Sequence, residues 1–156
     1  MKIAIGFDHA GFPLKETVLD LVREEGHEPI DFGTDSTEPC DYPDIAERVG
    51  HALQEGEAER GILVCGSGAG VAVAASKMIG IRGVTAHETY TAHQCVEHDD
   101  VNVLCFGARV IGPELAGDVM RAFLRAEYTG EERHARRLEK INALERAELT
   151  DDPQAS

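Results

Sequence analysis

Short apolar runs recur along the chain, each followed by a longer stretch in which apolar residues fall three or four positions apart. This alternation is the mark of successive strand-helix units that build a parallel sheet. It predicts five strands, at 2–7, 28–32, 61–65, 81–86 and 101–106, most of them bounded by Gly, Asp or a charged residue. Helices are expected at 13–25, 43–55, 70–78, 88–97 and 113–127. Within the first, Leu14, Val18, Leu21 and Val22 share one face, Pro13 sits in a first turn that needs no amide hydrogen, and Gly26 ends the helix. A charged segment at 131–148 carries, with Leu149 just beyond it, a narrow apolar stripe of Leu138, Ile141, Leu144 and Leu149, the pattern of a final helix lying across a partner surface.

Composition narrows the picture to one α/β domain over 1–149 with a polar tail at 150–156. The chain has 156 residues, 42% apolar but only 5% aromatic, so Val, Ile, Leu and Ala must fill the core. A formal charge of -14 repels polyanions and argues against nucleic acid or an anionic membrane as partner. A small anionic ligand would need a local basic pocket. The start MKIAIGFDH has no long apolar core followed by a cleavage site, and no apolar run approaches a bilayer's length, so a cytoplasmic location is expected. Cys40, Cys65, Cys95 and Cys105 are widely spaced without a C-x-x-C pair and are expected to be reduced thiols.

In an open parallel sheet, ligands bind beyond the carboxyl ends of the strands, so the segments after each strand carry the candidate chemistry. The strongest is Cys65-Gly66-Ser67-Gly68-Ala69-Gly70, where a buried strand ends in a thiol and a glycine-rich turn opens a helix. Such a turn can gather amide hydrogens into an anion-binding nest beside the thiol. It can also be only a tight turn beside an inert core cysteine. Position 71 is Val, which departs from a dinucleotide fingerprint, lacks the Lys of a Walker loop and lacks the Arg of a cysteine phosphatase.

Asp8 and His9 follow the first strand, where a carboxylate beside an imidazole can move protons, hold sugar hydroxyls or simply cap a helix. Tyr42, in Asp41-Tyr42-Pro43, can place a phenol near a ligand or begin a helix. His93, Cys95, His98, Asp99 and Asp100 lack metal-ligand spacing, so no metal is expected. His98 can cap a helix end or act as a general acid. Arg133, His134 and Arg137 gather cations in an otherwise acidic chain, suited to phosphate oxygens or to a solvated face paired with Glu131, Glu132 and Glu139.

Together these motifs resemble the ribose-5-phosphate isomerase type B family, which also includes the galactose-6-phosphate isomerase subunits. The resemblance spans about 2–146. It rests on Gly6-Phe7-Asp8-His9-Ala10-Gly11, Asp41-Tyr42-Pro43, Cys65 to Gly70 with Ala74-Ala75-Ser76-Lys77, His98-Asp99-Asp100-Val101-Asn102, Gly107-Ala108-Arg109, and Arg133-His134 with Arg137.

It implies a doubly wound, Rossmann-like α/β/α fold, a homodimer or dimer of dimers with active sites shared between subunits, no cofactor and no metal. It further implies Cys65 as catalytic base and His98 as the group that opens the sugar ring or donates a proton. The residues matching substrate-binding positions are Asp8, His9, Gly66, Ser67, Gly68, Ala69, Gly70, Asp99, Arg109, Arg133 and Arg137. Ser67 is placed to assist proton transfer between the substrate oxygens, and Tyr42 and His134 are further candidates for substrate contact. Relatives without the cysteine carry Glu at the place held here by Val71, which makes this the cysteine type. Many members have Asn where this chain has Asp99, and an ionised Asp cannot donate a side-chain hydrogen bond. The expected activity is interconversion of ribose 5-phosphate and ribulose 5-phosphate through a cis-enediolate. A six-carbon aldose phosphate, non-catalytic sugar-phosphate binding and nucleotide binding are the alternatives.

Overall fold

The computed structural model describes residues 1–150, with the side chain of Thr150 excluded; the expected tail at 151–156 lies outside the described residues. Five strands form one parallel sheet in the order β2-β1-β3-β5-β4. They are β1 (Lys2–Phe7), β2 (Glu28–Asp31), β3 (Arg60–Cys65), β4 (Gly83–Thr85) and β5 (Val103–Gly107). The helices are α1 (Lys15–Glu24), α2 (Tyr42–Gln54), α3 (Ala69–Ala75), α4 (Thr89–Asp99), α5 (Pro113–Arg125) and α6 (Glu132–Thr150).

Alternation along each central strand sorts the core into two clusters, one per face of the sheet. Ile3, Ile5 and Phe7 of β1, Ile62 and Val64 of β3, and Leu104 and Phe106 of β5 meet apolar residues of α1, α4 and α5. The intervening Ala4, Leu63, Cys65, Val103 and Cys105 meet α2 and α3. Three layers result, and the α/β expectation holds. Phe7, Phe106 and Phe123 are fully buried, each contributing roughly 2–3 kcal/mol of transfer free energy. Since β1 neighbours both β2 and β3, the connections diverge there, opening a crevice at the carboxyl ends of β1 and β3.

Most boundaries fall within two residues of expectation, and the differences have local causes. The expected strand 81–86 shortens to Gly83–Thr85 because the Arg82 amide donates to the Asn102 side chain instead of to a ladder. The strand expected from Val101 begins at Val103: the Val101 amide donates to Cys95 O as part of the α4 cap, and Asp100 is left-handed at φ 49°. The helix expected to reach Met78 ends at Ala75, followed by turns in which the Lys77 and Met78 amides reach back only three residues. The first expected helix splits into a 3-10 turn at Phe12–Leu14 and α1. Helix α4 runs two residues longer than expected, which brings His98 and Asp99 into its last turn. No described helix is long and apolar enough to cross a membrane.

Candidate active site

At the end of β3 the chain turns sharply through Gly66 to Gly68 into α3. Gly68 is left-handed (φ 82°), and a Cβ there would lie 2.8 Å from Phe106 Cα, so only glycine fits. The turn aims the Gly68 N–H at the Cys65 sulfur, 3.1 Å away. Cys65 is 5% exposed. The Ser67 hydroxyl accepts from the Ala69 amide at 3.3 Å.

Neighbouring elements converge on this turn. The Asp8 amide donates to Val64 O, and its buried carboxylate accepts from the Ala10 and Gly11 amides at 2.9 and 2.8 Å. Asp8 thereby shapes its own loop and sits beside the end of β3. His9 Nδ1 accepts from the Cys40 amide at 3.2 Å, which leaves Nε2 to carry the proton of the neutral ring. Tyr42 opens α2 and lays its ring over Gly70, where a Cβ would come within 2.8 Å of it. The Arg109 amide donates to Gly66 O, and its guanidinium lies beside Gly66. The loop that carries Cys40 is tied at its other end by Lys15, buried among Asp31, Asp35 and the Thr34 carbonyl.

Two residues outside the sequence-derived set support the turn. Thr85 donates to Gly68 O at 2.9 Å, and His87 Nε2 accepts from the Gly107 amide at 2.9 Å. Burial holds the His87 pKa below its ordinary value, in keeping with a neutral ring that accepts a hydrogen bond. The position of His87 just after β4 made it visible, but nothing in the sequence gave its partner.

The remaining expected residues lie elsewhere. Helix α4 runs back from the carboxyl end of the sheet to its amino end, and His98 and Asp99 close its last turn. Asn102, just beyond, is level with the start of β3, its carbonyl accepting from the Gly61 amide. Cys65 stands four residues further along β3, so roughly 13 Å of sheet separates the two groups. Beside His98 on the amino side lies His134 of α6, 2% exposed, with ring centroids 4.0 Å apart. The Thr129 hydroxyl donates to Glu97 O and accepts from His134 Nδ1 at 3.0 Å. Arg133 pairs with Glu131 at 3.1 Å and is largely exposed, and Arg137 is exposed on the same helix. An open groove of about 760 Å³ runs past Asp99 between α6 and the segment around Gly80, lined by Ile79, Ile81, Ile141 and Leu149 among others.

The fold therefore gathers Asp8, His9, Tyr42, Cys65, Gly66 to Gly70 and Arg109 at one end of the sheet. It gathers His98, Asp99, Arg133, His134 and Arg137 at the other. The first set offers a thiol, an amide nest and hydroxyl-binding groups; the second offers imidazoles and guanidinium groups.

Comparisons with known proteins bear on what this chemistry serves. A family model described as Ribose/Galactose Isomerase matches residues 3–141. The chain is 48% identical over 144 residues to ribose-5-phosphate isomerase B of Escherichia coli (strain K12), covering 92% of this chain and 96% of that one. It is 41% identical over 149 residues to D-erythrulose-4-phosphate isomerase of Pectobacterium atrosepticum, covering 95% and 97%. Among solved structures, ribose-5-phosphate isomerase B of Clostridium thermocellum superposes with a TM-score of 0.92 at 44% identity, covering 95% and 99%.

Proposed function

The chain belongs to the ribose/galactose isomerase family and is a sugar-phosphate isomerase, and we propose that it interconverts ribose 5-phosphate and ribulose 5-phosphate with Cys65 as the base. The observation that carries this reading is the buried Cys65 sulfur facing the Gly68 N–H at the carboxyl end of β3, where the loop that carries Asp8 and His9 is hydrogen-bonded to Val64.

Aldose-ketose isomerisation removes a proton from the carbon beside a carbonyl and returns one to the former carbonyl carbon, while a second proton moves between the two oxygens. The Cys65 thiolate takes the first proton and, on one face of a cis-enediolate, reaches both carbons. Amides of the Gly66–Gly70 turn stabilise the developing oxyanion, a contribution of roughly 3 kcal/mol per well-placed donor. Ser67 passes the proton between oxygens, and Asp8, His9 and Tyr42 hold the sugar hydroxyls. His98 opens the furanose ring by donating a proton. Arg133 and Arg137 bind the phosphate, which fixes the reacting carbons.

One substrate cannot engage both ends of a single sheet at once. The working site joins the Cys65 end of one copy to the His98 end of a second, in a homodimer or a pair of dimers. Two-fold symmetry then makes two equivalent sites.

The test is an NMR assay in deuterated buffer containing a chelator, with ribose 5-phosphate compared against allose 6-phosphate and the four-carbon aldose phosphate suggested by the erythrulose relative. Ribulose 5-phosphate formed with deuterium incorporation, at the highest kcat/KM of the three, is expected. Cys65→Ala is expected to abolish the exchange and to leave substrate binding intact. Turnover of Cys65→Ala at the normal rate would remove Cys65 as base, and a higher kcat/KM for another sugar would reassign the substrate.

A further inference from the structure

Asp100 is the one residue other than glycine with a positive φ among the described residues. It caps α4 directly after His98 and Asp99, in a conformation that L side chains disfavour. A single guanidinium holds it there. Arg82 Nε donates to the Asp100 carbonyl and Nη2 to the Asp100 carboxylate, both at 2.8 Å, so one planar fork grips the main chain and the side chain of the same residue.

The grip extends on both sides. The Arg82 carbonyl accepts from the amides of Asn102 and Val103, its amide donates to Asn102 Oδ1, and Asn102 Nδ2 donates to Gly80 O at 2.8 Å. The Gly80 amide in turn donates to Glu145 of α6 at 3.0 Å. The short turn before β4 thus ties together the end of α4, which carries His98, and helix α6, which carries His134. Asp100 is also within electrostatic reach of Arg60 on β3, so removing Arg82 leaves it near a second cation that makes no hydrogen bond to it.

We propose that Arg82 is a positioning residue, fixing the left-handed Asp100 so that the last turn of α4 presents His98 and Asp99 in the orientation the reaction needs. This rests on the isomerase reading, in which His98 opens the sugar ring. The side-chain hydrogen bonds of Arg82 among the described residues go to Asp100 and not to either histidine.

The test uses Arg82→Met and Arg82→Lys proteins, the second keeping the charge but not the fork. Histidine ring signals are recorded by NMR, with His98 identified through a His98→Asn spectrum, and turnover of ribose 5-phosphate is measured on the same samples. In both variants the His98 signal is expected to shift or broaden, with kcat lower by about tenfold or more and KM within about threefold, because displacing a reacting group by about 1 Å is that costly. Adding Asp100→Gly to Arg82→Met is expected to recover most of kcat, since glycine adopts the left-handed conformation without the guanidinium. If Arg82→Met does not fold, Arg82→Lys carries the test. An unmoved His98 signal in a folded variant overturns the proposal, as does unchanged kcat or failure of Asp100→Gly to restore it. If the unaltered protein turns over no sugar phosphate, the isomerase reading fails, and the His98 signal still decides whether Arg82 positions that ring.

Discussion

His134 lies against His98 with ring centroids 4.0 Å apart and planes tilted by 39°, closed off from solvent on the His134 side. Thr129 holds the buried His134 ring through its hydroxyl, and Glu97 holds Thr129 through its carbonyl. The stack therefore joins three pieces of chain: the last turn of α4 and, beyond β5 and α5, the link after α5 and the first turn of α6. His134→Ala should cost about 2 kcal/mol through the void it leaves. His134→Phe, which keeps a flat ring, should cost less. Thermal unfolding of the two variants checks this, and equal losses would show that the stack contributes nothing through its shape.

Two inactive variants should restore one another. In a mixed dimer of Cys65→Ala and His98→Asn chains, one site collects both defects and the other neither. Random exchange of equal amounts should recover about one quarter of the unaltered activity under two-fold symmetry. The check is to unfold and refold the variants together and compare them with each refolded alone. No recovery from a sample that does contain mixed dimers would place the complete site within one chain.

His87 should make the turn sensitive to acid. Its pKa lies below the ordinary 6.5 because burial disfavours the charged ring. A depressed value means that its stabilising contribution is complete above about pH 6.5 and is lost as pH falls through the lower folded value. Protonation also removes the acceptor for the Gly107 amide. Unfolding temperatures between pH 7.5 and 5 should therefore fall more steeply for the unaltered protein than for His87→Gln, which offers an acceptor that does not titrate. Parallel curves would show that His87 does not report on this range.

The thiols should separate by reactivity. Burial pushes Cys95 up to about 11 and Cys105 higher still, the latter aided by the nearby Cys65. Cys40 is only half-buried. Iodoacetamide at pH 8 should label Cys40 in the folded protein and reach Cys95 and Cys105 only after denaturation, as mass spectrometry of peptides would reveal. Early labelling of Cys105 would contradict its placement under α2 and α3.

The fold was legible because its signals are local. Each central strand is an apolar run, and residues such as Gly26 and Pro13 mark helix ends through their own backbone limits. The boundaries that moved are those set by distant partners. Arg82 leaves the ladder for the Asn102 side chain, and Val101 is taken up by the cap of α4, neither of which a periodicity can register. The same holds for the site. Cys65 and its glycines could be read from sequence because a strand followed by such a turn has few uses. The separation of Cys65 from His98 depends on which end of its strand each helix reaches. The roles of Thr85, His87 and Arg82 lie in single hydrogen bonds between segments far apart in sequence.

The two outer strands of the sheet are short, and β2 reads Glu-Pro-Ile-Asp. Pro29 brings no N–H to the open edge, and Glu28 and Asp31 repel a like edge, while β4 has three residues to offer. Neither margin is a template on which another strand could continue the ladder, so the folded chain gains little from edge-to-edge growth when crowded. That protection leaves the helical surfaces as the route by which copies of this chain can meet, and it should keep concentrated solutions free of fibrous aggregates.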